Sequence, residues 1–148
     1  MLTAFHVVAG WEGPITASHR DGRLLVGEIL DRHPTEDAAR ILFLSSEPVD
    51  VILLDFQPLK YGERITVPGY QGMERPYIFE GFASGPDQIG VDMWGGGSGS
   101  PVLDEDGHAR ALVTAISCVM PAPMQRIYIY HHCQVLPLSR LAEWICSE

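Results

Sequence analysis

The stretch Gly95-Gly96-Gly97-Ser98-Gly99-Ser100-Pro101 runs straight into Val102-Leu103 and then into the turn sequence Asp104-Glu105-Asp106-Gly107. Three glycines before a serine and one after it permit a tight, unusual backbone. A loop of that kind can aim two N–H groups into one small space beside the Ser98 hydroxyl, which is what a developing oxyanion needs. By composition alone the stretch also reads as a flexible Gly-Ser loop. Against that, Pro101 and the apolar pair Val102-Leu103 tie it directly to a strand, unlike a linker. A histidine and an aspartate also stand upstream, in loops beside strands, where a catalytic triad would need them.

Outward from this loop the chain is a succession of short apolar runs rich in Val, Ile, Leu, Phe and Tyr. Strands are expected at Arg23–Leu30, Ala39–Leu44, Val49–Phe56, Arg64–Tyr70, Tyr77–Ala83, Ile89–Met93, Ala109–Ser117 and Arg126–His131. The punctuation is Asp21-Gly22, His33-Pro34, Tyr61-Gly62, Gly85-Pro86 and Asp106-Gly107. Strands of this length with regular turns read as an all-β sandwich or barrel. The gaps are too short for crossover helices, so a βαβ arrangement is excluded. One helix is expected at the end, where Leu138, Leu141, Ala142 and Ile145 recur with helical spacing and Ser139 could cap.

The 148 residues suit one domain or two small packed halves, with 46% hydrophobic residues to build a core. A net charge of −9 argues against nucleic acid, whose phosphates call for Lys and Arg. No apolar run is long enough to cross a membrane as a helix, so no membrane partner is expected. Cys118, Cys133 and Cys146 lack metal-type spacing, and a disulfide framework is not expected. No basic segment precedes an apolar core at the N-terminus, so no signal peptide is read there, although the chain reads as beginning in the middle of a domain and its compartment is left open.

Gly96-Gly97-Ser98-Gly99-Ser100-Pro101 resembles the nucleophile motif of the trypsin-like serine peptidases, in the Ser-before-Pro version common in glutamyl endopeptidases and in viral and bacterial members. Met1-Leu2-Thr3-Ala4-Phe5-His6-Val7-Val8 resembles that family's catalytic-histidine motif. Asp21-Gly22-Arg23, followed by Asp31 through Ala39, resembles the HtrA/Deg branch, as do Leu59–Arg64 and Ala111–Ile116. The resemblance implies a two-barrel, chymotrypsin-like architecture. Residues 1–56 would form a partial N-terminal barrel carrying His and Asp, and residues 57–148 a C-terminal barrel carrying Ser. The family places two or more strands ahead of the histidine motif, so the first barrel is expected to be incomplete. Its open edge would invite pairing, and a dimer through that edge is a further expectation.

Several histidines and aspartates compete for the triad. Thr16-Ala17-Ser18-His19 also looks like a histidine motif, but His19 lies only 18 residues before Asp37, too few for the intervening strands, whereas His6 lies 31 before it. His33, His131 and His132 read as surface or packing residues, and His131/His132/Cys133 lack the spacing of a zinc site. Asp31, Asp50 and Asp55 are the rivals of Asp37. Asp50 heads an apolar run but comes 44 residues after His6, while Asp37 has Ala39 two residues on and His33-Pro34 upstream.

The resemblance thus implies His6, Asp37 and Ser98 as catalytic residues, the N–H groups of Gly96 and Ser98 as oxyanion hole, and no metal or organic cofactor. A polypeptide substrate would lie along Thr114, Ala115 and Ile116 as an added strand. Asp92, six residues before Ser98, stands where trypsin has its basic-selecting aspartate, though a structural or surface role is the preferred reading of it; Trp94 could wall the same pocket, or be a core residue beside a strand end. Gly97 departs from the Asp or Asn usual before the nucleophile, so a zymogen switch of that type is absent. The competing expectations are a catalytically silent peptidase fold used as a binding module, an inactive truncated fragment and, more weakly, an esterase. The esterase motif needs a last glycine where this chain has Ser100.

Overall fold

The computed structural model describes residues 1–19, 21–71, 75–93, 96–118 and 131–147. Two compact units, Met1–Val51 and Ile52–Glu148, divide the chain. The division falls before the expected 56/57 boundary for a physical reason. Leu54 bridges to Ala109 and Asp55 faces Arg110, so this segment already belongs to the second unit.

Alternation shapes the first unit. β1 (Leu2–Thr3), β2 (Ile15–Ser18), β3 (Leu24–Arg32) and β4 (Ala39–Leu44) form an antiparallel sheet in the order β1-β4-β3-β2. Ile29 of β3 turns to a small core with Val8, Ile15, Ala39, Ile41, Phe43 and Phe5. Its sequence neighbours on the other face are left in solvent, Leu24 at 69% exposure and Val26 and Leu30 beside it. β4 does the same with Leu42 and Leu44. The sheet is open and does not close on itself. A cavity of about 680 Å³ lies against it, lined by Trp11, Pro14, Val26, Ile29, Leu42 and Leu44 among others.

The second unit closes. β5 (Arg64–Gln71), β6 (Arg75–Ala83), β7 (Gln88–Gly90), β8 (Pro101–Leu103), β9 (Ala109–Cys118) and β10 (His131–Pro137) form a barrel in the order β10-β7-β6-β5-β8-β9, with β9 pairing β10 to complete it. Ile65, Val67, Ile89, Met93, Val102, Val113 and Cys133 fill it, each almost wholly buried. Closure removes the free edges that a sheet otherwise presents. Gly81 is required by it. A Cβ there would stand 2.0 Å from the Gly90 carbonyl oxygen of β7.

One cation is shut into this unit. Arg110 is buried, and its guanidinium donates to the carbonyls of Gln57 and Pro58 and to Glu63 and Asp104. Asp55 lies 3.4 Å away as a further counter-charge. Asp104 has its own support. Burial pushes its carboxyl up, but the His108 N–H, the Arg110 guanidinium and the Asp106 N–H together bring it below the usual range. An unpaired buried charge would be costly, and here the guanidinium is fully engaged.

Several expectations need correction. Val49–Phe56 forms no strand. It finds no partner ladder beyond the Leu54–Ala109 bridge, and Val51, Ile52 and Leu53 are exposed. The last strand lies later than expected, at His131–Pro137. Of the expected Arg126–His131 strand, residues 126–130 lie outside the described residues, as does Trp94. The terminal helix is broken into a 3-10 turn at Leu138–Arg140 and α2 (Ala142–Ile145). Ser139 caps neither. It sits inside the 3-10 turn, which starts from Pro137, and α2 starts from Leu141. β1, β2 and the one-turn helix α1 (Phe5–Val8) were not anticipated, while β8 is the strand expected directly after the serine loop. Cys133 and Cys146 are not joined in a disulfide. Among the described residues no helix is long and apolar enough to cross a membrane.

Two stability outcomes follow from this packing. Gly81→Ala forces β6 away from β7 and is expected to cost at least the roughly 1–3 kcal/mol of ordinary overpacking, read as a fall in urea midpoint. Arg110→Met strands its carboxylates and is expected to cost about 3–5 kcal/mol. Asp104 gives the pH dependence. Its lowered carboxyl contributes stability above the ordinary carboxylate range, and that contribution is lost as pH falls below about 4. Urea midpoints measured from pH 6 downward should therefore fall less steeply in Asp104→Asn than in the parent chain.

Candidate active site

The first unit builds a histidine–carboxylate pair. Thr3 and Ala4 are buried at the end of β1, and the chain turns there into α1. Phe5 is half-buried under the Arg32 guanidinium, 5.5 Å from its ring centre, so the next residue, His6, faces out. Asp37 comes from the loop between β3 and β4. That loop is braced by His33, whose Nδ1 accepts the Glu36 N–H at 3.0 Å and whose own N–H donates to the Ala38 carbonyl. Ala38 and Ala39, fully buried, fix the loop's exit into β4.

Asp37 holds His6 at two points. Oδ1 accepts the His6 backbone N–H at 2.8 Å, and Oδ2 lies 2.6 Å from His6 Nδ1. A carboxylate can only accept, so Nδ1 carries the proton and Nε2 is left as the basic nitrogen. Both side chains remain reachable, His6 about half exposed. The competing residues are engaged elsewhere. Asp31 forms a two-point ion pair with Arg40, and Asp55 faces Arg110. His19 Nδ1 lies 2.9 Å from Asp21. The carboxyl of Asp21 is held far below the usual range by the Arg23 N–H, by His19 and by the Arg23 side chain.

The serine loop is built inside the second unit. Ser100 N–H donates to the Gly97 carbonyl at 3.0 Å, closing a turn over Ser98 and Gly99. Gly99 takes φ +85° at the third position of that turn, where L side chains are strained. Gly96 also has positive φ, +104°. Two further bonds pin the loop to β9: Gly99 N–H to the Val113 carbonyl at 2.8 Å, and Val113 N–H to the Ser100 carbonyl at 2.9 Å. The N–H groups of Gly96 and Ser98 have no such partner among the described residues. β5 passes so close that a Cβ at Gly69 would lie 2.8 Å from Ser100 Oγ.

Beyond Val113, β9 carries Thr114, Ala115 and Ile116. The ladder with β10 shifts here, from Val113↔Val135 to Ala115↔Gln134, so Thr114 is the extra residue of a bulge. Its hydroxyl donates to the Gln134 carbonyl at 3.3 Å. Bulges re-aim side chains beside functional sites, and nothing in the sequence pattern marked this one. Asp92 is exposed between the buried Val91 and Met93. Asp104, Asp106 and His108 bring ligand-type atoms within 4.8 Å of one another. The Asp104 oxygens are already taken by the Asp106 and His108 N–H groups and by Arg110, which accounts for the cluster as a turn.

A family model described as a trypsin-like peptidase domain matches residues 1–112. The chain belongs to the trypsin-like peptidase family. No curated protein matches the sequence. Among solved structures it is similar to Rv3671c from M. tuberculosis H37Rv, in the inactive form of a serine-to-alanine mutant. The identity is 21% and the TM-score 0.74, over 97% of this chain and 74% of that one. With the all-β units above, this places the chain in the chymotrypsin-like fold.

In this trypsin-like chain the His6–Asp37 contact is measurable without substrate. A short Nδ1–H···O bond should give a far-downfield imidazole proton resonance, present in the parent and absent from Asp37→Ala.

Proposed function

We propose that the chain is a serine endopeptidase that cleaves polypeptides through a Ser98-His6-Asp37 triad and an acyl-enzyme. The observation that carries this reading is the two-point hold of Asp37 on His6, which leaves Nε2 as the free base.

In the proposed reaction His6 Nε2 takes the proton of Ser98 Oγ as the oxygen attacks the peptide carbonyl. The C–O bond forms, and the carbonyl electrons move to an oxyanion met by the Gly96 and Ser98 N–H groups. Collapse breaks the C–N bond, and His6 returns its proton to the leaving amine. Water then repeats the sequence to release the acid. Asp37 stays ionised throughout and stabilises the imidazolium. Substrate adds as a strand along Thr114–Ile116, and a carboxylate at Asp92 would favour a basic residue before the scissile bond.

A fluorophosphonate probe and intact-mass measurement test the reading. One adduct on the parent and none on Ser98→Ala is the expected result, and Asp37→Asn should slow peptide turnover by about 10⁴. A folded parent that takes no adduct overturns the proposal in favour of a silent binding module or an inactive fragment.

A further inference from the structure

A second imidazole governs the loop that carries Asp37. Arg32 and Ala39 close the β3–β4 ladder, and the chain between them is His33–Ala38. The His33 N–H donates to the Ala38 carbonyl at 2.9 Å, which carries the pairing one step further. Pro34-Thr35-Glu36-Asp37 is left as the tip. Pro34 has a fixed φ and no N–H to donate. The next two N–H groups, of Thr35 and Glu36, turn inward to one atom, His33 Nδ1, at 3.3 and 3.0 Å. The Ala38 N–H donates back to the Glu36 carbonyl at 2.8 Å, so Asp37 lies between two held peptides. From there its carboxylate reaches the His6 N–H and Nδ1.

The two histidines are in opposite tautomers. His6 Nδ1 donates, so its proton is on Nδ1. A ring nitrogen that accepts carries no proton, so His33 has its proton on Nε2. Protonation of His33 puts an N–H on Nδ1, against the two N–H groups it had accepted, and removes the acceptor. Both bonds of the tip are then lost together. Histidine is the side chain whose ordinary change of charge falls between about pH 5 and 8. Other charged groups surround the loop. Glu36 and Asp37 lie within it, the Asp31–Arg40 pair and Arg32, which sits over Phe5, lie at the strand ends, and β1 and α1 bring the Met1 ammonium and His6.

We propose that His33 is a positioning residue whose neutral imidazole, and not the imidazolium, holds the loop that aims Asp37 at His6. The pair comes apart when His33 takes a proton. The inference rests on the peptidase reading above and adds a regulation to it, a second histidine that turns the site off in acid. The sequence reads His33 as a surface or packing residue, and the two bonds to its Nδ1 give it this role.

The first test is the far-downfield His6 proton resonance of the parent, His33→Asn and His33→Ala at about pH 8 and about pH 5. An asparagine oxygen accepts the N–H two residues on and does not titrate. At the higher pH the resonance should stand in the parent and in His33→Asn and be lost in His33→Ala. At the lower pH it should fade in the parent and stand in His33→Asn. Met1, His6 and every carboxylate are common to the three chains, so the difference isolates His33. A dispersed amide spectrum shows that each variant is folded, and either variant decides the matter without the other. A His33→Ala resonance equal to the parent's, or equal fading in the parent and His33→Asn, overturns the inference. The second test is the acid limb of peptide turnover. The rate should fall with about the second power of proton concentration in the parent, through His6 and His33, and with about the first power in His33→Asn. Equal limbs overturn the inference, while turnover itself upholds the peptidase reading. The resonance needs no catalysis, so it decides the role of His33 even where Ser98 takes no fluorophosphonate.

Discussion

Two backbone hydrogen bonds at Val113 hold the chemistry in place. Val113 is wholly buried in the barrel, its carbonyl accepts the Gly99 N–H, and its own N–H donates to Ser100. A loop with glycines at 96, 97 and 99 would lose much entropy on ordering. These two bonds, the Gly97–Ser100 turn and Pro101 at the start of β8 restrict it from both ends. The same strand that closes the barrel therefore positions Ser98. Barrel stability and serine geometry are one problem, because anything that shifts β9 shifts Ser98.

The histidine half is solved differently. His6 and Asp37 are both surface-reachable, and their geometry rests on local features: the buried Thr3-Ala4 step, the His33-braced loop and the Ala38-Ala39 anchor. All of these lie within Met1–Val51. Orientation of the His6 imidazole is thus complete inside a unit whose sheet remains open and whose outer face stays apolar. An open sheet with little core is less stable than a closed barrel, so the two-point carboxylate contact carries more of the burden of orienting His6 than it would in a rigid frame.

How far the sequence was legible depends on the range of the interaction. The serine loop, the barrel strands other than β10 and the β3–β4 hairpin were readable, because glycine placement, alternation and turn residues act over a few neighbours. His6 and Asp37 stand 31 residues apart, and only motif resemblance paired them. The Arg110 network was invisible, since its partners lie 6, 47, 52 and 53 residues away and no local pattern joins them. Val49–Phe56 misled for the converse reason. Its composition is that of a strand, but a strand requires a partner edge, and the closed barrel offers it only the Ala109 bridge. Ser139 misled because Pro137 starts a 3-10 turn first.

The bulge at Thr114 joins these threads. Without the extra residue, β9 and β10 would keep one register from Val113 to Cys118. With it, Ala115 pairs Gln134 and Ser117 pairs His132. A single inserted residue thus changes the register of β9 against β10 while leaving Val113 buried to hold the serine loop. The pairing of β9 with β10 follows one register near the loop and another beyond it. A one-residue slip is the smallest change of register a strand pair can make, and it falls at Thr114, directly beyond the residue that holds the serine loop.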